Sequence, residues 1–211
     1  MRSDRDERAA RAQLAAALGQ LDDEHPERLI AAMRRIRATL DEVPQPRPTT
    51  IVLRQPQPGD IGWCTYRHGV VYAREYQWDT TFEALVAIIL GKFQQSHDPA
   101  LERGWIAEVA ARFAGCVFLM KESERVCRLR CLLVEPEARG RGLGTTLVDA
   151  CIQFARGAGY DEMVLWTNDV LHAARRIYQR AGFVLVCEER HYSFGQDLCG
   201  QTWQLDLAKT A

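Results

Sequence analysis

The sequence lacks the long apolar run that a membrane-spanning helix needs. No apolar segment approaches the roughly 18–20 residues that cross a bilayer, and residues 1–7 lack the apolar centre of a signal peptide. The net charge is only −1, so a general attraction to nucleic acid or to an acidic membrane is not indicated. We therefore expect a cytoplasmic protein that has no membrane partner.

Paired cysteine motifs are also absent. The seven cysteines are odd in number and dispersed, and none belongs to a C-x-x-C pair. This usage is typical of reduced, mostly buried thiols rather than of a disulfide framework or a zinc site. We expect no metal.

The common nucleotide-binding motifs are missing too, but a different glycine-rich loop is present. There is no G-x-G-x-x-G after a strand and no Gly-Lys-Ser/Thr. Instead, an apolar run ends at Pro136, a loop with three glycines follows, and residues 143–158 then show helical spacing of apolar side chains. A strand, glycine-rich loop and helix in this order direct free backbone N–H groups at one point, which suits a phosphate or pyrophosphate.

Two motifs carry a resemblance to a known family. Arg139-x-x-Gly142-x-Gly144 resembles the acetyl-CoA pyrophosphate loop of the GNAT superfamily of N-acyltransferases, although a glycine-rich turn that only caps a helix is the alternative for this loop alone. Residues 174–183, which contain Tyr178, resemble the second GNAT signature. The motifs occur in the family's order and about one βα unit apart.

The resemblance implies an α+β fold. We expect the GNAT architecture, a central mixed, mostly antiparallel sheet of six to seven strands flanked by helices, over residues 51–208. A Pro-rich linker is predicted at 44–50, after an N-terminal helical pair at 1–43. This pair resembles the dimerisation helices of MarR-type regulators, a family sometimes fused to GNAT domains. The two helices carry too little apolar surface to fold alone, so we expect them to pack on the main domain or on a second subunit, and the resemblance implies a homodimer. Because no winged helix accompanies them, we expect no nucleic-acid partner.

Two connections are predicted with less regular structure. Residues 110–112, between the second and third strands, lack the usual hairpin turn residues, so we expect a loose connection. Residues 191–197 are predicted to form a loop that reaches the acceptor side of the cleft.

Acetyl-CoA is the cosubstrate that the resemblance implies. Backbone groups of the fourth strand would hold its pantetheine arm and the glycine-rich loop its pyrophosphate. Asn168 would either bind pantetheine or cap the next helix, and it or His172 would replace an asparagine that many relatives have where this chain has Leu171. The predicted contacts are Leu132, Leu133, Val134, Arg139, Gly140, Arg141, Gly142, Leu143, Gly144, Thr145, Asn168 and Tyr178.

The implied reaction is direct attack of an amine on the thioester. Tyr178 matches the family's general acid, although a packing tyrosine is the alternative. Glu75 is the predicted general base, taken from a segment rich in Trp and Tyr that suits either the core or the acceptor site. Further candidates for the base are Glu108, Glu135, His68 and His191. We expect an N-acetyltransferase for a small-molecule or peptide amine. A non-catalytic acyl-CoA sensor derived from a MarR–GNAT regulator is the alternative.

Overall fold

The computed structural model describes Met33 and residues 50–208. Apart from Met33, the predicted helical pair at 1–43 lies outside these residues, as does nearly all of the linker at 44–50, so the domain boundary stays a prediction. The described helices are α1 (Asp60–Tyr76), α2 (Thr80–Ser96), α3 (Leu143–Gly157) and α4 (His172–Arg180). None of the helices in this part of the chain has the length and apolar content needed to cross a bilayer.

One seven-stranded sheet runs through the described domain. Its strands are β1 (Ile51–Arg54), β2 (Arg103–Val109), β3 (Arg112–Lys121), β4 (Val126–Val134), β5 (Glu162–Asn168), β6 (Val184–Ser193) and β7 (Gln196–Asp206). The spatial order is β1-β2-β3-β4-β5-β7-β6. Neighbours are antiparallel except β4 and β5, which are parallel. The predicted mixed, mostly antiparallel sheet is confirmed.

Helices cover both faces of the sheet and divide the core into layers. On one face, α3 contributes Leu147 and Cys151 to a cluster with the strand residue Leu129. On the other face, α1 and α2 pack over a second cluster that includes Leu90 and Phe118. Because the two apolar faces of the sheet are both covered, the central strands β3 to β5 are the rigid base on which the cleft is built.

The sheet opens between β4 and β5. Their pairing covers only Val126–Leu129 against Glu162–Leu165. Beyond it Cys131 has a positive φ of 51°, and the register with β3 shifts at the same place. Such a bulge bends the strand and disturbs its ladder. From residue 130 to residue 134, the edge of β4 that faces β5 therefore has no strand partner.

The hairpin between β2 and β3 is tight, so the prediction of a loose connection was wrong. Ala110 and Ala111 alone form the turn, with φ values of 52° and 58°. Both residues are left-handed, as in the two-residue turns that match strand twist. The pairing of β2 with β3 continues up to Val109 and Arg112. It forces the two alanines between them into a left-handed conformation that alanine does not favour.

The prediction of a loop at residues 191–197 was also wrong. Strands β6 and β7 stay paired as far as Ser193 and Gln196, which leaves Phe194 and Gly195 as a two-residue turn. The tip nevertheless reaches the cleft, since the Phe194 ring lies 4.8 Å from the ring of Trp78.

Candidate active site

Two adjoining cavities occupy the cleft. The loop cavity, about 360 Å³, lies between the glycine-rich loop and α4. The aromatic cavity, about 220 Å³, lies under α1 and α2 beside β4 and β5. They share the lining residues Tyr72, Leu132, Leu171 and Ala174. A long ligand that enters the loop cavity can therefore extend to the edge of the aromatic one.

The glycine-rich loop presents an open helix N-terminus to the loop cavity. Gly140 and Gly142 have φ values of 76° and 78°, a conformation that favours glycine. Gly142 caps α3 without a side-chain hydrogen bond, and the first N–H bonded back to the cap is that of Thr146. The N–H groups of the preceding turn are thus available to an anion.

Gly144 serves a different purpose from the two loop glycines. A Cβ at this position would lie 2.6 Å from Cδ1 of Ile177. A side chain at this position would displace the end of the Ile177 side chain on α4, the helix that carries Tyr178.

The predicted donor contacts fall into three groups. Arg141 lines neither of the two cavities and lies beside Ile51 and Val109, while Asn168 and Tyr178 line the aromatic cavity. The remaining nine predicted residues line the loop cavity: Leu132, Leu133, Val134, Arg139, Gly140, Gly142, Leu143, Gly144 and Thr145.

Glu75 lies on the loop cavity and is held by an arginine. Its carboxylate accepts a hydrogen bond from Nη1 of Arg139 at 2.9 Å, and Nε of Arg139 donates to the carbonyl of Val134 at 3.2 Å. Glu75 does not line the aromatic cavity. The ion pair therefore holds Arg139 beside the loop. A carboxylate engaged in this way is less suited to abstract a proton from an amine.

Aromatic side chains of α1, α2 and their connection form much of the second cavity. Tyr72 and Trp78 each have a ring centroid 4.6 Å from that of Phe82. All three line the cavity, together with Trp166 on β5, whose side chain is 44% exposed. The aromatic segment thus packs as a cluster and also supplies a cavity wall.

His68 offers a buried acceptor atom beside this cavity. Its Nδ1 lies 2.8 Å from the carbonyl of Cys64 and donates to it, so Nε2 carries the lone pair. Nε2 is buried and has no hydrogen-bond partner in the described part of the chain. Burial lowers the pKa of His68 to about 4, against the raising effect of the Cys64 carbonyl. The ring is therefore neutral near pH 7.

Tyr178 lies in the wall of the same cavity. The side chain is only 5% exposed, and its hydroxyl makes no hydrogen bond within residues 50–208. Burial raises the pKa of Tyr178, with Cys151 and Cys131 adding to the effect. The hydroxyl is thus protonated and able to donate.

Asn168 ends β5 with its side chain turned to the cavity. Its Oδ1 accepts from Nε2 of His191 at 3.0 Å, and Nδ1 of His191 accepts from Oγ of Ser193 at 2.9 Å. The Nδ2 donor is buried and unpaired within the described residues. The side chain does not cap α4, while His172 is exposed and lines neither cavity.

Sequence reasoning did not single out Arg130, a charged side chain in the wall of the aromatic cavity. Arg130 was detectable, because Arg128 and Arg130 are two residues apart in an otherwise apolar strand and so share one face. Tyr72 belongs to the Trp- and Tyr-rich segment for which the sequence left core and acceptor site open, and it lines the cavity.

Comparison with known proteins identifies the family of this chain. Residues 60–183, more than half of the chain, match the acetyltransferase (GNAT) family. The chain belongs to the GNAT family of acyltransferase enzymes. The MarR resemblance concerns residues outside the described part and stays a prediction.

Individual GNAT relatives cover parts of this chain. Human N-acetyltransferase 8B is 36% identical over 84 residues, which is 37% of this chain and 37% of that protein. The mycothiol acetyltransferase of Actinosynnema mirum is 29% identical over 72% of this chain and 50% of its own length. This GNAT chain thus spans half or less of the length of these two relatives.

Solved structures show the same fold at low identity. Salmonella typhimurium yncA, solved with its cofactor acetyl-CoA, has a TM-score of 0.61 at 20% identity, over 77% of this GNAT chain and 96% of its own. Vibrio cholerae spermidine N-acetyltransferase, in complex with CoA and spermine, has a TM-score of 0.60 at 19% identity, over 75% of this chain and 96% of its own.

Proposed function

We propose that this GNAT protein transfers an acetyl group from acetyl-CoA to an amine. One observation carries the proposal: the unpaired edge of β4 joins a cavity headed by an open helix N-terminus to a second cavity that contains a protonated tyrosine. An extended arm with an anionic end fits the first cavity, and a second substrate fits the other. The fold neighbours solved with acetyl-CoA and with CoA and spermine support this assignment.

Backbone groups of β4 are suited to hold the pantetheine arm. The N–H of Glu135 donates to the carbonyl of Ala114 on β3 at 2.8 Å. Successive residues of a strand point their N–H groups to opposite edges. The N–H of Val134 therefore points to the unpaired edge, and that of Leu132 is placed to do the same.

Acetyl-CoA supplies an activated acyl group. The amine lone pair would form the new C–N bond as the C–S bond breaks, the amine would lose one proton, and the thiolate would gain one. The N–H of Val134 would stabilise the negative charge that develops on the carbonyl oxygen. Tyr178 would donate the proton that the departing sulfur takes up, since its raised pKa keeps the hydroxyl protonated.

Cys131, which lines the aromatic cavity, does not suit a route through an acyl-cysteine. Burial raises the pKa of Cys131 to about 12, against the lowering effect of Arg130. A thiol that stays protonated is a poor nucleophile. Direct attack by the amine, without an acyl-cysteine, is therefore the route we propose.

The amine must be held in its neutral form with the lone pair free. His68 is neutral and has an unpaired Nε2 at the aromatic cavity, so we propose that it accepts a hydrogen bond from the incoming amine. Glu75, the base predicted from the sequence, stays a weaker candidate because Arg139 holds its carboxylate in the other cavity.

The sensor interpretation is not favoured by the family comparisons. Homodimerisation through residues 1–43, a cytoplasmic location and the absence of nucleic-acid and membrane partners stay predictions.

Gly142 allows a matched test of the donor site. Asp and Asn have nearly the same shape and tolerate left-handed backbone better than most residues, and the space around a Cβ at Gly142 is open to 4 Å. Calorimetric titration of acetyl-CoA should show that Gly142→Asp weakens binding much more than Gly142→Asn, because only the aspartate repels the pyrophosphate. Equal affinities for the two variants, or no binding by the wild type, would contradict the proposed donor site.

A further inference from the structure

The aromatic cavity has two arginines in its wall. Arg128 and Arg130 both line it from β4. The strand alternation puts them on the same face, and their partners on β3 are Met120 and Phe118. Two cations thus lie on one side of a cavity whose other walls are largely aromatic and aliphatic.

Of these two arginines, only Arg128 is hydrogen-bonded to a carboxylate in the described part of the chain. Arg128 donates two hydrogen bonds of 2.7 Å to the carboxylate of Glu122. This hydrogen bonding lowers the pKa of Glu122. Arg130 makes no hydrogen bond or ion pair within the part of the chain that the structure describes. Partial burial, and then the Arg128 cation, lower the pKa of Arg130 more than Cys131 and the Glu122 carboxylate raise it. A guanidinium in this setting is stabilised by an incoming anion.

The other residues that line the aromatic cavity also suit a ligand with one negative charge and an apolar group. No aspartate or glutamate is among the described residues that line it. The buried Nδ2 of Asn168 is a second unpaired donor in the wall. Leu85, Ile89 and Trp166 are among its apolar side chains. A polyamine would meet a cation and no carboxylate here, whereas an amine with one carboxylate and a bulky apolar group would match every wall.

We infer that the acceptor is an apolar or aromatic α-amino acid, whose carboxylate Arg130 binds while the aromatic side chains enclose its apolar group. This inference rests on the proposed acetyl transfer and names its substrate class. The α-amino nitrogen would take the acetyl group and lose one proton, and the CoA thiolate would gain one. Arg130 would thus determine acceptor specificity without touching the reacting atoms.

Matched acids and amides separate the role of the carboxylate from all other contacts. The probes are L-phenylalanine, L-leucine and L-tryptophan, each with its amide, and spermidine as a polyamine. The kcat/KM ratio of acid to amide is measured for the wild type, Arg130→Gln and Arg130→Lys. Comparing this ratio between proteins cancels the different basicity of the two amines. Arg125→Gln is the control, since Arg125 pairs with Asp161 and lines neither cavity.

The wild-type ratio should exceed that of Arg130→Gln by about 10- to 100-fold, the usual scale for a charge-assisted hydrogen bond. The change should appear mainly in KM, because an anchored carboxylate is bound equally in the ground and transition states. Arg130→Lys should fall between the two, and Arg125→Gln should match the wild type. Acetyl-CoA titration of each variant reports that it is folded.

An equal acid-to-amide ratio in the wild type and Arg130→Gln would overturn the carboxylate contact and leave acetyl transfer intact. Transfer to spermidine but not to any amino acid would do the same. If Arg130→Gln does not fold, the wild type is compared with Arg130→Lys, whose acid-to-amide ratio should be lower; equal ratios in these two proteins would overturn the carboxylate contact. Transfer to no amine at all, with acetyl-CoA bound, would overturn both the inference and the proposed function.

Discussion

Tyr178 packs in the core and also lies in the wall of the cavity where we propose that it acts as the general acid. Its ring lies 5.8 Å from that of Phe183 in the core beneath α4, while the residue also lines the aromatic cavity. The packing interpretation and the general-acid interpretation are therefore compatible, since the core holds the ring and leaves the hydroxyl in the cleft. The two interpretations differ in whether the reaction slows when the hydroxyl group of Tyr178 is removed.

Tyr178→Phe should leave the ring contacts unchanged and remove the proton donor. We expect kcat to fall about 100-fold or more, with acetyl-CoA affinity and thermal stability close to those of the wild type. Steady-state kinetics and acetyl-CoA calorimetry on the same preparation measure the three quantities. Full turnover by a variant that binds acetyl-CoA normally would leave Tyr178 as a packing residue only.

His68 makes the stability of the protein depend on pH. Its pKa is about 4 in the folded chain and about 6.5 when unfolded. Between these values the unfolded chain binds a proton that the folded chain does not, so stability is lost as the pH falls. Lowering the pH from 7.5 to 5 should cost about 2 kcal/mol from this group.

His68→Gln should remove that contribution to the pH dependence. Urea unfolding at pH 7.5 and pH 5 measures the difference for each protein, and His172→Gln, at an exposed position, should keep the wild-type behaviour. A His68→Gln variant that loses as much stability as the wild type over this range would show that the buried ring is not the source.

At the scale of elements, turns were predicted less well than strands and helices. The β4–loop–α3 unit was predictable because its apolar spacing and glycines are local. The two hairpins were not. Ala110–Ala111 and Phe194–Gly195 are turns that long-range strand pairing imposes, and pairing between distant segments leaves no mark in a short window of sequence.

The β2–β3 turn therefore stores strain that can be removed. Left-handed backbone costs a non-glycine residue roughly 1–2 kcal/mol, and Asn-Gly is the preferred pair for such a turn. Ala110→Asn with Ala111→Gly should raise the free energy of unfolding by about 1–2 kcal/mol in chemical denaturation. Ala100→Gly, at an exposed turn residue without positive φ, should give no gain. A double variant no more stable than the wild type would mean that the turn is not strained.

At the scale of the whole molecule, the lining of the loop cavity was more predictable than that of the aromatic cavity. A compact motif forms most of the loop cavity, so Gly142 and its neighbours could be named from the sequence. The aromatic cavity collects side chains from α1, α2, β4, β5 and α4. His68, Arg130 and Asn168 meet there only because the sheet opens where it does, and that opening depends on a bulge with no sequence pattern of its own.

The central claim is that the two cavities act together to transfer an acetyl group. Its most direct test is to supply acetyl-CoA with and without an amine and to measure both CoA release and acetylated amine by mass spectrometry. We expect release that depends on the amine, one acetylated product per CoA, and loss of both in Gly142→Asp. Tight acetyl-CoA binding with no amine-dependent release from any acceptor would contradict the account.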